Sequence, residues 1–182
     1  MAAMTEYVAL LRGINVGGKA KLPMAQLREA LTAEGFTDVR TLLQSGNVVL
    51  DAARTTPEKL EIRLEKLIKD RFGLNVSCLV RTGSELRDAL AVNPLAELAD
   101  DGSKMMVIFL DAEPDPALLA EHDPVALDPE RIVRRGRVIY QWCPNGILEA
   151  PPVPAFVERK LKVKATARNW NTVTKLQAML TG

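Results

Sequence analysis

The sequence predicts a mixed α+β fold, with a ferredoxin-like β-α-β-β-α-β first half and a second, less regular α+β half of similar element order. Short apolar runs bounded by Gly, Pro and Asn alternate with amphipathic patterns of helical period along the 182 residues. The elements between residues 7 and 82 follow the split βαβ order, and a similar order starts again at residue 104. The expected subdomains are 1–92 and 93–182, packed as one unit.

The first half is defined by helix boundaries and turn signals. Pro23 lies in the first turn of a helix, where its missing N–H is tolerated. Thr56 is the expected N-cap of the next helix, with Pro57 at the first position. Gly46 and Asn47 suit the positive-φ positions of a hairpin turn. The expected elements are a strand at 7–12, a helix at 23–35, strands at 39–43 and 48–50, a helix at 56–73 and a strand at 76–80.

The rest of the chain shows weaker signals in a comparable order, without a repeat of individual residues. Its last helix is expected in the segment NTVTKLQAML, with Asn171 or Thr172 as the N-cap. The other expected elements are a short helix at 84–91, a strand at 104–110, a short helix at 116–122, a hairpin of strands at 132–135 and 138–143, and a helix at 154–161.

Composition restricts the classes of function. No apolar run approaches the roughly 18 residues of a membrane span. The N-terminal segment lacks a secretory signal, so we expect a cytoplasmic protein without membrane association. Cys78 and Cys143 each lie in an apolar run and are expected to be buried and unpaired. With one histidine and no Cys-x-x-Cys pair, the sequence predicts neither a metal site nor a cofactor.

The net charge of +1 hides an uneven distribution. It is +3 over residues 1–87, −10 over 88–130 and +8 over 131–182. One interpretation is an acidic loop region beside a solvated basic face, and the other is a basic tail that attracts an anionic ligand or partner. We do not expect a dedicated nucleic-acid binder, because at 4% aromatic residues the chain lacks the stacking platform of an RNA-recognition module.

The segment RGINVGGKAKLP, residues 12–23, nearly reproduces a phosphate-binding P-loop. Its glycines and first lysine have the P-loop spacing, but Ala20 replaces the Ser or Thr whose hydroxyl holds magnesium. Pro23 places the helix start after the glycines, whereas a P-loop helix begins at the Gly-Lys pair. A P-loop NTPase is therefore not expected. Two interpretations remain: a simple strand-to-helix turn, or a different anion site in which loop amides act with Arg12, Lys19 and Lys21.

Two stretches carry a family resemblance. The segment LLRGINVGGKAKLPMAQLREALTAEGFTDVRTLLQSGNVV and the C-terminal ATARNWNTVTKL resemble the bacterial family called domain of unknown function 1697. The resemblance covers nearly the whole chain and implies a cytoplasmic α+β protein with ferredoxin-like topology, but no activity. The positions that match its characteristic polar segments are Arg12, Gly13, Asn15, Gly17, Gly18 and Lys19; Gln44, Ser45, Gly46 and Asn47; and Arg168, Asn169, Trp170, Asn171 and Thr172.

These polar segments define the candidate site for a small anionic or phosphorylated ligand. Arg168 and Asn169 are expected beside a helix N-terminus, an arrangement that suits anion binding. Trp170 is equally consistent with a core anchor for the last helix. The main hypothesis is that Arg12, Lys19 and Arg168 converge on one negative group. The full set of expected ligand-binding residues is Arg12, Asn15, Gly17, Gly18, Lys19, Lys21, Arg168, Asn169, Trp170 and Asn171.

The second polar segment contributes Gln44, Ser45 and Asn47 and is expected to form a hairpin turn. In a ferredoxin-like sheet we expect this turn at the opposite end from the loop that follows the first strand, so the two should not meet. No acid–base constellation is recognisable, and whether the protein is an enzyme stays open. The alternative function is an oligomeric interaction or regulatory module, without catalytic activity, that pairs through sheets or edges.

Overall fold

The computed structural model describes residues 3–18 and 20–182, which form two antiparallel four-stranded sheets and six α-helices. The strands are β1 (Met4–Leu11), β2 (Thr37–Leu42), β3 (Asn47–Ala53), β4 (Cys78–Thr82), β5 (Met105–Leu110), β6 (Ile132–Arg135), β7 (Val138–Trp142) and β8 (Ala165–Asn169). The helices are α1 (Met24–Ala33), α2 (Pro57–Phe72), α3 (Gly83–Leu90), α4 (Pro116–Glu121), α5 (Val153–Phe156) and α6 (Trp170–Met179). The α+β class is confirmed.

The chain divides into two compact units, Met1–Asp88 with Leu176–Gly182, and Ala89–Lys175. The first unit has the predicted β-α-β-β-α-β order and the strand order β2-β3-β1-β4. Its core contains the alternate β1 residues Tyr7, Ala9 and Leu11 together with apolar residues of α1 and α2. The subdomain boundary expected at residue 92 stays a prediction.

The second unit repeats this arrangement, with the strand order β6-β7-β5-β8. In both units a helix follows the last strand, α3 after β4 and α6 after β8. The pairing registers agree as well: Val8 of β1 lies opposite Arg81 of β4, as Val107 of β5 lies opposite Arg168 of β8. The similar element order expected for the second half is therefore confirmed, and it extends to strand order and register.

Strand β8 and the start of α6 differ from the prediction. The segment ATARN was not expected to form a strand, because its small and polar residues lack the apolar alternation that indicates one. As β8 occupies this segment, α6 begins at Trp170, and the Thr172 N–H donates to Asn169 Oδ1 at 2.9 Å. Asn169 is thus the capping side chain, in place of Asn171 or Thr172. The helix expected at 154–161 is the short α5 continued by a π-helical turn, Val157–Leu161.

The turn between β2 and β3 also differs in detail. Its positive φ angles occur at Leu43 (60°) and Gly46 (93°), whereas Asn47 begins β3 with extended backbone. The buried Asn47 side chain donates from Nδ2 to the Leu42 carbonyl at 2.8 Å and to Ser45 Oγ at 3.1 Å. The Asn47 side chain therefore stabilises the turn by hydrogen bonds, but the Asn47 backbone is not one of the left-handed positions of the turn.

Two other expectations are confirmed. Cys78 and Cys143 are both buried, and neither is part of a disulfide. Thr56 Oγ1 accepts from the Lys59 N–H at 3.2 Å, and Pro57 occupies the first turn of α2. Within the part of the chain that the structure describes, no helix has both the length and the apolar character required to cross a membrane.

Candidate functional site

The glycine loop, residues 12–23, and the β2–β3 turn, residues 43–46, lie at the same end of the first sheet. Strand β1 pairs antiparallel with β3, so the end of β1 meets the beginning of β3. The Asn15 side chain donates from Nδ2 to the Gln44 carbonyl at 2.7 Å. The expectation that the loop and the turn lie at opposite ends is therefore wrong, because an antiparallel neighbour begins where its partner ends.

Asn15 holds the glycine loop in shape. Its Oδ1 accepts from the Leu22 N–H at 2.8 Å, and its Nδ2 donates to the Leu22 carbonyl at 2.9 Å. The Asn15 N–H also donates to the Ala20 carbonyl at 3.1 Å. Both polar ends of the amide are used within the protein, so Asn15 is a positioning residue that joins the two ends of the loop and the neighbouring turn.

Apolar contacts anchor the loop to the first core. Ile14 and Leu22 are 1% and 0% exposed, while Val16, between them at the tip, is 64% exposed. Gly46 of the turn lies so close that a Cβ there would be 2.7 Å from Ile14 Cδ1 and 2.8 Å from Leu11 Cβ. The base of the loop is packed, and its tip faces solvent.

The loop backbone is unusual over a short stretch. Left-handed φ angles occur at Gly13 (64°), Asn15 (54°), Gly17 (56°), Gly18 (76°) and Ala20 (49°). For Ala20 this conformation is unfavourable, and such strain persists where the surrounding structure enforces it, often at ligand-binding segments. The Asn15 hydrogen bonds described above provide that enforcement.

The second unit makes the equivalent connection with a much shorter segment. Residues 12–23 join β1 to α1, whereas residues 111–115 suffice to join β5 to α4. The charges are also opposite, since the long connection contains Arg12, Lys19 and Lys21 without a carboxylate, and the short one contains Asp111, Glu113 and Asp115 without a cation. The second unit therefore forms the same strand-to-helix order without the length or the glycines of the first connection.

The expected site residues of the first unit have different environments. Lys21, Gln44 and Ser45 are exposed at this end of the sheet, whereas Arg12 is partly buried and its N–H donates to the Ser77 carbonyl at 2.9 Å. The buried Asn47 serves the turn, as described above. Lys19, which the main hypothesis also uses, lies outside the described residues.

The C-terminal polar segment belongs to the second unit. Arg168 Nη1 donates to Thr166 Oγ1 and to the Ala167 carbonyl, both at 2.9 Å. Asn169 caps α6, and the half-buried Trp170 is its first residue. The segment is thus a strand-to-helix junction, and its convergence with the glycine loop on one ligand stays a prediction.

This junction has a counterpart in the first unit that sequence reasoning missed. Arg81 corresponds to Arg168 in register, and its Nη1 likewise donates to the preceding carbonyl, that of Val80, at 3.2 Å. The next residue, Thr82, accepts from the Glu85 N–H at 3.0 Å, as Asn169 accepts at the start of α6. The signal in the sequence is an arginine followed by a capping residue before each helix. Its repetition favours a structural role for Asn169 as a helix cap.

Residues 4–140 match the family described as "Protein of unknown function (DUF1697)". The chain belongs to the DUF1697 family. The matched residues include the glycine loop and the β2–β3 turn of this DUF1697 member, and the strand-to-helix junction at Arg168 lies beyond them.

A solved structure of a conserved bacterial protein from Streptococcus pneumoniae is similar to this DUF1697 chain. The two are 25% identical with a TM-score of 0.71, and the similarity covers 98% of this chain and 100% of the other. A search of curated proteins found no match to the DUF1697 member. Among its described residues, no group of three or more His, Cys, Asp or Glu side chains is arranged to hold a metal ion.

Proposed function

We propose that the protein binds a small anionic ligand, bearing a phosphate or carboxylate group, at the glycine-loop end of its first unit. The observation that carries this proposal is the contrast between the two equivalent connections. The second unit joins β5 to α4 with residues 111–115, whereas the first unit joins β1 to α1 with residues 12–23. The shorter connection carries carboxylates and the longer one carries cations. A longer, strained and cationic loop on the same fold is typical of a functional addition to a scaffold.

Electrostatics support an anionic ligand. Three segments meet at this end of the sheet: the glycine loop, the β2–β3 turn and residues 73–77 before β4, as the hydrogen bonds from Asn15 and Arg12 show. None of the three contains Asp or Glu. A negative group there is attracted by the nearby cations without repulsion from a carboxylate in these segments.

The proposed contacts follow from the loop geometry. Main-chain N–H groups around Gly17 and Gly18 can approach an anion closely, because no side chain intervenes at either position. Lys21 is exposed and supplies charge, and Lys19 and Arg12 are the further cations of the same segment. Asn15 keeps the loop in place, so that little ordering is required on binding.

A titration monitored by NMR tests the proposal. Inorganic phosphate, ribose 5-phosphate, adenosine monophosphate and a short RNA are added in turn to wild type, Lys21→Ala and Lys59→Ala. We expect at least one anion to shift the amide resonances of the glycine loop saturably. Lys21→Ala weakens this effect by about tenfold, the value of one charge-assisted contact. Lys59→Ala, which removes an equal charge at the start of α2, leaves the loop shifts unchanged.

Two results would contradict the proposal: no saturable shift of the loop with any probe, or equal affinities in wild type and Lys21→Ala. Arg168→Ala, measured in the same series, tests the predicted contribution of the C-terminal segment. If the anion binds Arg168→Ala as tightly as wild type, the site is limited to the first unit. The alternative function, an oligomeric interaction module, predicts a solution mass that rises with protein concentration.

A further inference from the structure

We propose that the first unit holds a second, separate ligand site, a cleft that takes a small phosphorylated molecule carrying hydroxyl groups. The cleft lies where β1 begins, at the opposite end of the sheet from the glycine loop. Its volume is about 720 Å³, within the range of small-molecule sites. It is independent of the glycine-loop proposal, because none of the described residues that line the cleft belongs to residues 12–23.

The cleft is preformed by hydrogen bonds that fix its walls. The hydroxyl of Tyr7, a fully buried residue, donates to the Thr55 carbonyl at 2.8 Å and accepts from the Thr55 N–H at 2.9 Å. This pair of bonds ties the segment between β3 and α2 to β1. On the other wall, Thr82 lies opposite Tyr7 in the sheet and accepts from the Glu85 N–H at 3.0 Å. The Thr55 segment and the start of α3 are therefore held in place before a ligand binds.

The lining has the polarity of a site for a hydroxylated anion. Arg54 and Lys59 both line the cleft, and none of the described residues that line it carries a carboxylate. Glu58, next to Lys59 in sequence, is not among them. The remaining polar groups are mainly hydroxyls, including those of Thr5 and Ser84. Two cations in a lining whose described residues carry no carboxylate favour the binding of a negative group.

The chemistry of the ligand follows from these groups. Arginine and lysine bind phosphate oxygens through charge-assisted hydrogen bonds. Threonine and serine hydroxyls both donate and accept, so they suit the hydroxyl groups of a sugar. We therefore assign the phosphate to Arg54 and Lys59, and the sugar hydroxyls to the side chains of Thr5, Thr55 and Ser84.

The test uses ribose 5-phosphate as the probe on the full chain, with ribose and inorganic phosphate as separate arms. Amide resonances of Thr55, Thr56 and Ser84 are followed by NMR in wild type, Lys59→Glu and Lys69→Glu. The two variants reverse one exposed lysine on the same helix, and only Lys59 lines the cleft. We expect saturable shifts at the cleft, weakened at least tenfold in Lys59→Glu and changed less than about twofold in Lys69→Glu.

Each other outcome overturns a stated part of the proposal. Equally weakened binding in both variants, or no saturable shift of the cleft resonances, would show that the cleft is not a ligand site. If inorganic phosphate binds as tightly as ribose 5-phosphate, the threonine and serine side chains do not bind the sugar hydroxyl groups. Shifts confined to residues 12–23 support the glycine-loop proposal and overturn this one, so the two fail separately.

Discussion

Gly46 is the residue at which the β2–β3 turn meets the base of the glycine loop. Its φ of 93° is left-handed, and a Cβ there would lie 2.7 Å from Ile14 Cδ1 and 2.8 Å from Leu11 Cβ. Gly35 has a similar φ of 99°, but a Cβ added there would meet nothing within 4 Å, so a side chain would bring backbone strain alone. Alanine substitutions at the two glycines therefore separate the free-energy cost of a left-handed backbone from the free-energy cost of steric overlap.

We predict that Gly46→Ala lowers the free energy of unfolding by about 2–4 kcal/mol, from strain plus overpacking. Gly35→Ala, the matched control, lowers it by about 1 kcal/mol, because only the backbone conformation is unfavourable. Urea denaturation of both variants measures the difference. Equal losses would show that the contact of Gly46 with Ile14 relaxes without cost.

Glu6 is a second residue whose surroundings determine its chemistry. Its side chain is 10% exposed and accepts from Arg40 Nη2 at 3.0 Å and from the Thr181 N–H at 3.0 Å. Burial raises the pKa of the Glu6 carboxyl, but hydrogen bonds from Thr181, Arg40 and Gly182 outweigh burial, and the pKa is lowered from its usual 4.5. The ionised carboxylate therefore stabilises the folded chain.

The sign of the pH dependence follows from this lowered pKa. The stabilisation is fully present above pH 4.5 and is lost as the pH falls through the folded pKa. We predict that Glu6→Gln lowers the free energy of unfolding by about 1–2 kcal/mol at pH 7, and that the difference from wild type shrinks below pH 4.5. Glu34→Gln, which breaks an exposed pair with Arg71, changes stability by less than about 0.5 kcal/mol. A pH-independent difference for Glu6→Gln would contradict the prediction.

At the scale of elements, β4 is an edge strand whose outward N–H groups are covered by carboxylates of α2. Glu65 Oε1 accepts from the Cys78 N–H at 2.9 Å, and Glu61 Oε2 accepts from the Val80 N–H at 2.8 Å. In the second unit, Glu158 Oε1 accepts from the Ala165 N–H of β8 at 3.1 Å. Covering the donors of an edge strand prevents it from pairing with another chain.

We predict that Glu61→Ala lowers the free energy of unfolding by about 1–3 kcal/mol, because a partly buried donor loses its acceptor. Glu61→Gln keeps an acceptor oxygen at the same position, so a smaller loss is expected. Hydrogen exchange of the Val80 amide provides the specific readout, and it should accelerate in Glu61→Ala more than in Glu61→Gln. Identical exchange rates in the two variants would show that the carboxylate does not protect the strand edge.

Element positions were largely predictable from the sequence, because they depend on local patterns. The Thr56-Pro57 start and the Gly73 end of α2 were recognised from residue types alone, and both are confirmed. Strand β8 was not recognised, because the segment ATARN has no alternation of apolar and polar residues. It forms a strand because its backbone pairs with β5. Its pairing partner β5 lies more than fifty residues earlier in the chain, and no local window contains both.

At the scale of the whole molecule, the last residues of the chain return to the first unit. Thr181 and Glu6 are 175 positions apart in sequence, yet their groups are hydrogen-bonded. Arg40 also donates to the Met179 carbonyl. The C-terminal residues therefore belong to the first unit and contribute to its stability.

We predict that deleting Thr181 and Gly182 destabilises the chain and that the loss is not additive with Glu6→Gln. Each change removes the same hydrogen bonds, so the double variant loses less than the sum of the two single losses. Denaturation of the four proteins measures the coupling, and hydrogen exchange should show the loss of protection in β1 and β2 before β5 and β7. Full additivity would mean that the tail and Glu6 act independently.

The sequence by itself determined the α+β class and the β-α-β-β-α-β order of the first half, since these depend on residue types and their local spacing. Only the tertiary structure decided that the glycine loop and the β2–β3 turn meet at Asn15 and Gly46, because this depends on the antiparallel pairing of strands distant in the chain. The cleft beside Arg54 and Lys59 was likewise invisible in sequence, because its walls come from separate segments of the chain. Local patterns specify elements, and strand pairing decides which of their loops become neighbours.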